Sequence, residues 1–533
     1  MPWIKLATPS SKLALDDVEF ALNGDFDFKQ GQLYIHNDVA ITGSHAFIYH
    51  SAQSSFVAPL STWYFDLNTT FSFAPSHTAV SNLVILQSAS STFEFCGCSI
   101  AIPGEYLQFE TGKLVLSDEL CVHRCAAQSL STLTTLTSID YGNNGVVNAA
   151  VLSPNGKFLA VAGSSAGNGA GGFTNTDNIR IYQFDGTQLT PLTSKSYGTT
   201  IATLSWSPDG KFLAVGGNDP VNGFGDFNDT NELRVYSFDG FTLTAVTSKD
   251  FGAQISTLDW SPDGKFLAIG GIGPVNGAGD FSDTNELRIY SFDGSRLTAL
   301  TSKDYGSEIM NLVWHASGKY IALSGVSPIN GAGGFANTHE VRLYSFDGST
   351  LTSLTSVDYG SYVKGLAWSP DGTVLSVGGS GPVNGAGGFS NNHELRLYTF
   401  DGSMLTPLTS QDYGSWVSVM AWHPNGKILV ITGSGASSVG GFSNSDGTRL
   451  YDFDGSTLTA ITSRAYGSTG YSLAWNPSGT ILVIGGYLPI NGAGDFNNTN
   501  EVRLYQAEFY NSYLPSLCNH KTQHGTICSG RIL

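Results

Sequence analysis

Sulfur, imidazole and clustered carboxylates come first, because they bind metals and form covalent bonds. All six cysteines of the 533-residue chain lie towards its ends: Cys96, Cys98, Cys121, Cys125, Cys518 and Cys528. An even count is compatible with three disulfides in many connectivities. Cys518, His520, His524 and Cys528 also form a C-x-H-x3-H-x3-C run, and Cys121, His123 and Cys125 add further zinc-type ligands. Those spacings match no common zinc finger. Disulfides are the first reading; free thiols and zinc are the alternatives. Asp226, Asn228, Asp229 and Glu232 offer oxygens to a hard cation such as Ca²⁺, without the spacing or glycine of an EF-hand loop. His339 and His393 take equivalent places in neighbouring repeats, and two histidines alone make no metal site. No resident cofactor is expected, with Ca²⁺ and Zn²⁺ as the exceptions to test.

Catalytic patterns are scarce. Gly163 to Gly167 match G-x-S-x-G, but the match falls in a repeated loop rather than between a strand and a helix. No P-loop, His-Glu-x-x-His or dinucleotide fingerprint occurs. An enzyme on this chain would need titratable groups that break the repeat at a central channel, as in propeller hydrolases and lactonases.

The repeat is the dominant signal. Trp206, Trp260, Trp314, Trp368, Trp422 and Trp475 recur every 54 residues with one step of 53, and Leu152 stands one period earlier. Phe-Asp-Gly recurs in the same phase, starting at Phe184, Phe238, Phe292, Phe346, Phe400 and Phe453. Each period reads as four strands. In the third, AQISTLDW alternates, SPDGK turns, FLAIGG is short and apolar, and a long loop follows. ELRIYSF then alternates, and Asp-Gly leads into RLTALTS as a type I′ hairpin. Four antiparallel strands per such period are the mark of a propeller blade. The fold class is therefore all-β: a seven-bladed propeller of four-stranded blades, with a small β-rich N-terminal domain, solenoid or sandwich.

LDWSPDGKFLAIGG with NELRIYSFDG resembles the WD40-like repeats of β-propellers. The resemblance implies a rigid ring and says little about function. Tyr236, Tyr290, Tyr344 and Tyr398 stand where the family's Trp-Asp is usual. Tyr-Gly or Phe-Gly, starting at Tyr141, Tyr197, Phe251, Tyr305, Tyr359, Tyr413 and Tyr466, replaces its Gly-His. The family's Asp–His–Ser–Trp network is thus not carried over, and the chain resembles divergent propellers of bacterial type. The count predicts closure as well. Leu130 to Asp140 have no blade before them and Asn500 to Gln506 no fourth strand after them, so the N-terminal strand should complete the seventh blade.

One arginine recurs per repeat: Arg180, Arg234, Arg288, Arg342, Arg396, Arg449 and Arg503. Glu232, Glu286, Glu340, Glu394 and Glu501 lie two residues earlier, on the same strand face. Half-buried guanidiniums need partners, and Asp140, Asp250, Asp304, Asp358 and Asp412 are the expected ones. These arginines and the tryptophans are read as structural. The long loops, such as GPVNGAGDFSDTNE from Gly273, share one mouth of the ring with the loops from fourth to first strand. Phe173, Phe227, Phe281, Phe335, Phe389, Phe442 and Phe496 are expected to pin each loop to the next blade. Asp226, Asn228, Asp280, Asn330, His339, Asn384, His393 and Asp495 in these loops are the candidate partner-binding residues. The sixth loop departs most from the pattern.

Residues 1–128 lack the period and read as a β-rich domain, 129–506 as the propeller, and 507–533 as an irregular tail. GDFDFKQGQLYIHNDVAITG resembles a rung of β-helical segments in bacterial surface proteins. Net charge is −18, which disfavours nucleic acid and anionic membranes as partners. No apolar stretch is long enough to span a bilayer, and no signal-peptide core follows Met1. Low charge content and abundant Gly, Ser, Thr and Asn lean towards an extracellular or cell-surface setting. The functional expectation is a non-enzymatic scaffold whose loop ring meets a protein or glycan partner. A self-assembling surface or filament protein is the second reading, and a propeller hydrolase the third.

Overall fold

In the computed structural model, residues 130–509 are described in full save 131, 143, 144 and 443. Elsewhere the backbone of strand segments is described, and the side chains of all six cysteines lie outside the described residues. The chain divides into two units, one of Leu130–Glu508 and one of Met1–Ser129 with Phe509–Leu533.

The N-terminal unit is β-rich. Its strands Phe26–Phe28, Phe47–Tyr49, Phe71–Phe73, Thr92–Cys96 and Lys113–Ser117 pair in that order, all in parallel.

The second unit is the propeller. Five independent four-stranded antiparallel sheets form blades 2 to 6. Blade 3 is typical, with strands Gln254–Trp260, Phe266–Ile272, Leu287–Phe292 and Leu297–Lys303. The apolar second strand is buried on both faces because neighbouring blades cover it, hence its unbroken hydrophobic run. Blades 1 and 7 merge into one eight-stranded sheet, bridged at Val146 and Tyr487. Ser129–Ile139 lies beside Val502–Tyr510 in that sheet, so the N-terminal strand does supply the outer strand of blade 7. The side-chain amides of Asn498 and Asn500 both donate to Ser138 Oγ at 2.9 Å.

Trp206, Trp260, Trp314 and Trp422 are buried, and each indole N–H reaches back to the preceding blade. Trp260 Nε1, for instance, donates to the Ser205 carbonyl at 3.3 Å. Each tryptophan also packs on the phenylalanine of its own Phe-Asp-Gly, as Trp260 does on Phe292 at 5.2 Å. In these four blades the indole thus staples the blade to the one before it, whereas the indole N–H groups of Trp368 and Trp475 make no such bond.

Two local expectations change. The Asp-Gly connection is not a type I′ turn, since Gly240 has positive φ (97°) and Asp239 does not. Instead Asp239 Oδ1 accepts the N–H groups of Phe241 and Thr242 at 2.8 and 2.7 Å, an Asx turn closed by the side chain. Those amides hold the Asp239 carboxyl below its usual range. Nor do the loop phenylalanines reach the next blade. Phe227 packs edge-on against Tyr236 of its own third strand at 5.2 Å, and Phe281 against Tyr290 likewise. A 3-10 turn precedes the phenylalanine in both loops, and Phe442 packs on Tyr451 in the same way in blade 6.

Closure yields a direct test. Leu133 is 1% exposed within the closing strand. Leu133→Asp, which buries a carboxylate there, is expected to cost about 2–4 kcal/mol. Differential scanning calorimetry should show a lower Tm, and light scattering should show association through the freed edge.

Candidate functional site

The recurring arginines are wholly buried, yet their partners are not aspartates. Arg288 Nη1 donates to the Ala278 carbonyl at 2.9 Å, and Nη2 donates to those of Val275 and Asp283 at 3.1 and 3.2 Å. The guanidinium lies 5.1 Å from the ring centroids of both Phe251 and Phe281. The expected Arg–Asp pairs are therefore replaced by loop carbonyls and a two-ring cation–π sandwich. A planar fork with five donors suits several carbonyls at once, which a carboxylate partner would not need.

The glutamates do a different job. Glu232 Oε2 accepts the N–H groups of Phe251 and Gly252 at 2.7 and 3.3 Å, so blade 2 grips the loop entering blade 3. Burial pushes the Glu232 carboxyl up, against the pull of those two amides. Blade 1 uses Asn178 for the same purpose, accepting from Tyr197 N–H at 2.7 Å. Glu501 accepts from Tyr141 N–H at 2.8 Å and so joins blade 7 to blade 1. Arginine and glutamate together rigidify one mouth of the propeller, where the long loops and the aromatic-Gly loops meet.

The candidate binding residues sort into three groups on that mouth. Asp226 and Asp280 pair with Lys195 and Lys249 of the preceding blade's outer strand, and Asp495 approaches Arg464 at 3.8 Å. These exposed pairs are worth at most about 1 kcal/mol each. His339 and His393 each place Nδ1 3.0 Å from a serine hydroxyl on their own blade, Ser356 and Ser410. Asn285 does the same with Ser302 at 2.9 Å, so the histidines stand in for asparagine. Asn228, Asn330 and Asn384 are exposed at the loop tips. The four oxygens considered for Ca²⁺ do not converge: Asp229 accepts from Ser248 Oγ at 2.6 Å, while Glu232 faces the next blade. In the G-x-S-x-G segment, Ser165 has φ 57°, but Asp219, Ser327 and Leu488 adopt the same conformation at the same repeat position. It is a recurring turn rather than a nucleophile elbow.

The same loops carry a feature that reading them for Asn and Gly overlooks. Val221, Val275, Ile329, Val383 and Ile490 stand 39% to 58% exposed. Each donates its N–H to the carbonyl of the aromatic-Gly step, as Val275 does to Phe251 at 3.1 Å. They form an apolar arc over blades 2 to 5 and again on blade 7, interrupted by Ser437 in blade 6 and Gly167 in blade 1. Scattered apolar residues need no explanation, but these five hold one repeat position on one face. The Pro-Val-Asn-Gly and Pro-Ile-Asn-Gly strings were the available signal.

Beneath this mouth runs a central channel of about 790 Å³, lined by the first strands. Its lining is not uniform. In the row that holds Lys364, other blades carry Asn148, Ala202, Ser256, Met310, Ser418 and Tyr471; in the row that holds Glu308, others carry Val146, Thr200, Gln254 and Trp416, all uncharged. The Lys364 ammonium lies 5.2 Å from the Trp416 ring centroid and 5.1 Å from that of Tyr471. Burial lowers its pKa and the Glu308 charge opposes that shift. Among the described residues, no histidine or cysteine lines the channel.

A ring of four-stranded blades with this repeat is a β-propeller similar to those of WD-repeat proteins. Residues 187–220 match the family described as WD domain, G-beta repeat. The WD repeat-containing protein slp1 of Schizosaccharomyces pombe is 24% identical over 245 residues, covering 46% of this chain and 41% of that protein. The anaphase-promoting complex subunit cdc20 of Dictyostelium discoideum is 28% identical over 184 residues, covering 34% and 30%. The B-type cell cycle switch protein ccs52B of Medicago truncatula is 26% identical over 216 residues, covering 40% and 36%. The chain thus spans less than half the length of these curated relatives. A chain in the crystal structure of a mitotic checkpoint complex superposes with a TM-score of 0.46 at 18% identity, over 72% of this chain and 95% of that one. Two expectations are corrected. The relatives are eukaryotic, so the bacterial-type and bacterial β-helical resemblances find no support. They are also cell-cycle proteins of the cell interior, which overturns the extracellular or cell-surface preference.

Proposed function

We propose that this chain is a non-enzymatic protein-interaction scaffold that receives a protein partner on the loop-bearing mouth of its propeller. The carrying observation is the arc of exposed Val221, Val275, Ile329 and Val383, held on a frame that buried arginines and glutamates make rigid. Apolar knobs on a preorganised surface lose little entropy on binding. Relatives named as an anaphase-promoting complex subunit and a cell cycle switch protein support a partner within a multiprotein cell-cycle assembly. For the N-terminal unit we retain the solenoid reading, supported by its succession of parallel-paired strands.

The test is a comparison of co-purifying proteins. Val275→Asp, Ile329→Asp and Val383→Asp together should leave the Tm within a few degrees, because these side chains are exposed. The triple variant is expected to lose a partner that the unaltered chain retains, with a Kd at least about tenfold weaker when that partner is titrated. Equal retention by both chains would remove the mouth as the binding surface.

A further inference from the structure

The central channel contains an ion-handling pair that the loop ring does not explain. Lys364 makes no hydrogen bond or ion pair through its ammonium among the described residues; two aromatic rings flank it instead. An ammonium carries three donors, so this one faces the channel with its hydrogen-bonding capacity unspent. The ring faces stabilise the cation without using those donors. Glu308, on the adjacent blade, accepts one bond from Ser256 Oγ at 3.1 Å, and Gln254 Nε2 supports that serine at 3.2 Å. Lys364 and Glu308 do not form an ion pair within 4.0 Å, yet they are close enough to influence each other. Two opposite charges thus face one space, each with capacity left over.

Other blades carry uncharged residues in these rows, so ring building does not require the charged pair. A structural role would pair the two charges directly, because partly desolvated charges are costly alone. The volume of the channel falls within the range of small-molecule sites. Charge then selects the ligand class. A free anion meets Glu308 and the field of a chain with net charge −18. A diamine meets Lys364. A zwitterion satisfies both groups and enters at no net charge.

We propose that the channel binds a small zwitterion of the amino-acid class, its carboxylate on the Lys364 ammonium and its ammonium on the Glu308 carboxylate. The Trp416 ring borders the bound molecule and reports on it. This site lies below the mouth and does not depend on partner docking there.

The test titrates the full chain with glycine, leucine, glutamate and phenylalanine, with succinate and putrescine as single-sign controls. Calorimetry and tryptophan fluorescence are the readouts. At least one amino acid is expected to bind saturably and more tightly than either control. Lys364→Met and Glu308→Gln should each weaken that binding by about tenfold or more, the scale of one charge-assisted hydrogen bond. Trp416→Phe should abolish the fluorescence change while the heat of binding persists. Thermal melts of each variant establish that it is folded, and Glu308→Gln decides the matter if Lys364→Met is not. Absence of saturable binding by every amino acid overturns the proposal. So does binding that both variants leave unchanged, or succinate binding as tightly as the best amino acid.

Discussion

Arg288→Met is expected to destabilise the propeller by about 3–5 kcal/mol, the scale set by removing one partner from a buried charged network. Three carbonyls, those of Ala278, Val275 and Asp283, lose the guanidinium at once. Those of Val275 and Ala278 keep the backbone N–H groups of Ala278 and Phe281, so the full cost of an unpaired carbonyl, about 1–3 kcal/mol, falls on Asp283. The cation–π sandwich with Phe251 and Phe281 adds to the loss. Arg288→Lys should recover little, because a point charge cannot fork across three carbonyls. Chemical denaturation with both variants checks this; full rescue by lysine would show that charge alone matters. Arg449 supplies an internal contrast. It donates to the carbonyls of Val439 at 3.1 Å and Asn444 at 3.4 Å and to that of Ser437, in the loop that departs most from the repeat, and to that of Tyr413 at 3.4 Å. That loop lacks the 3-10 turn found in the other six blades, among the described residues. Arg449→Met should therefore cost less than Arg288→Met.

The arginines show where sequence reading succeeds and where it stops. Their recurrence every 54 residues made a structural role legible, and burial follows from the two-sided packing of a blade. Their partners were not legible, because backbone carbonyls carry no letter. Aspartates at a matching period were the visible candidates, and among the described residues none of them pairs with an arginine of this set. Asp140, for example, accepts from Gly142 N–H at 2.9 Å. Closure was legible for the opposite reason. It depends on counting strands, and a strand without a blade at one end answers a blade without a strand at the other.

The mouth and the channel were partly legible. Val275 and Ile329 recur in plain view, but Asn and Gly drew attention because they fit the idea of polar loops. The structure exposes the aliphatic side chains because each backbone N–H is tied to the aromatic-Gly carbonyl, which turns the side chain outward. Aligning the seven first strands on their terminal Trp or Leu would have set Glu308 and Lys364 apart. That alignment could not have shown that Trp416 and Tyr471, from two further blades, converge on one ammonium.

A third residue of that alignment, Asp259, carries the remaining large effect. Other blades place Val151, Ser205, Val313 and Ala367 at its position. Asp259 Oδ2 accepts the N–H of Trp314 from blade 4 at 3.1 Å. Its side chain is half-buried in the channel wall. Burial pushes its carboxyl up to about 7, against the pull of Trp314 N–H, Trp260 N–H and Ser205. The ordinary value is 3.8. Between these two values the folded protein holds a proton that the unfolded chain has lost, so stability falls as pH rises. Below 3.8 this contribution is flat, and above 7 the cost of the buried charge is fully present. The cost is about 2–4 kcal/mol, less than the full pKa difference would give because the channel admits some water. Asp259→Asn keeps an oxygen for Trp314 N–H and removes the charge. It is expected to raise the Tm at pH 8, to change it little at pH 4, and to flatten the decline between them. Denaturation curves of both chains across that range measure the difference. A variant as pH-sensitive as the parent chain would mean that the decline arises elsewhere, among the raised glutamates Glu232, Glu286 and Glu340 that clasp the blades together.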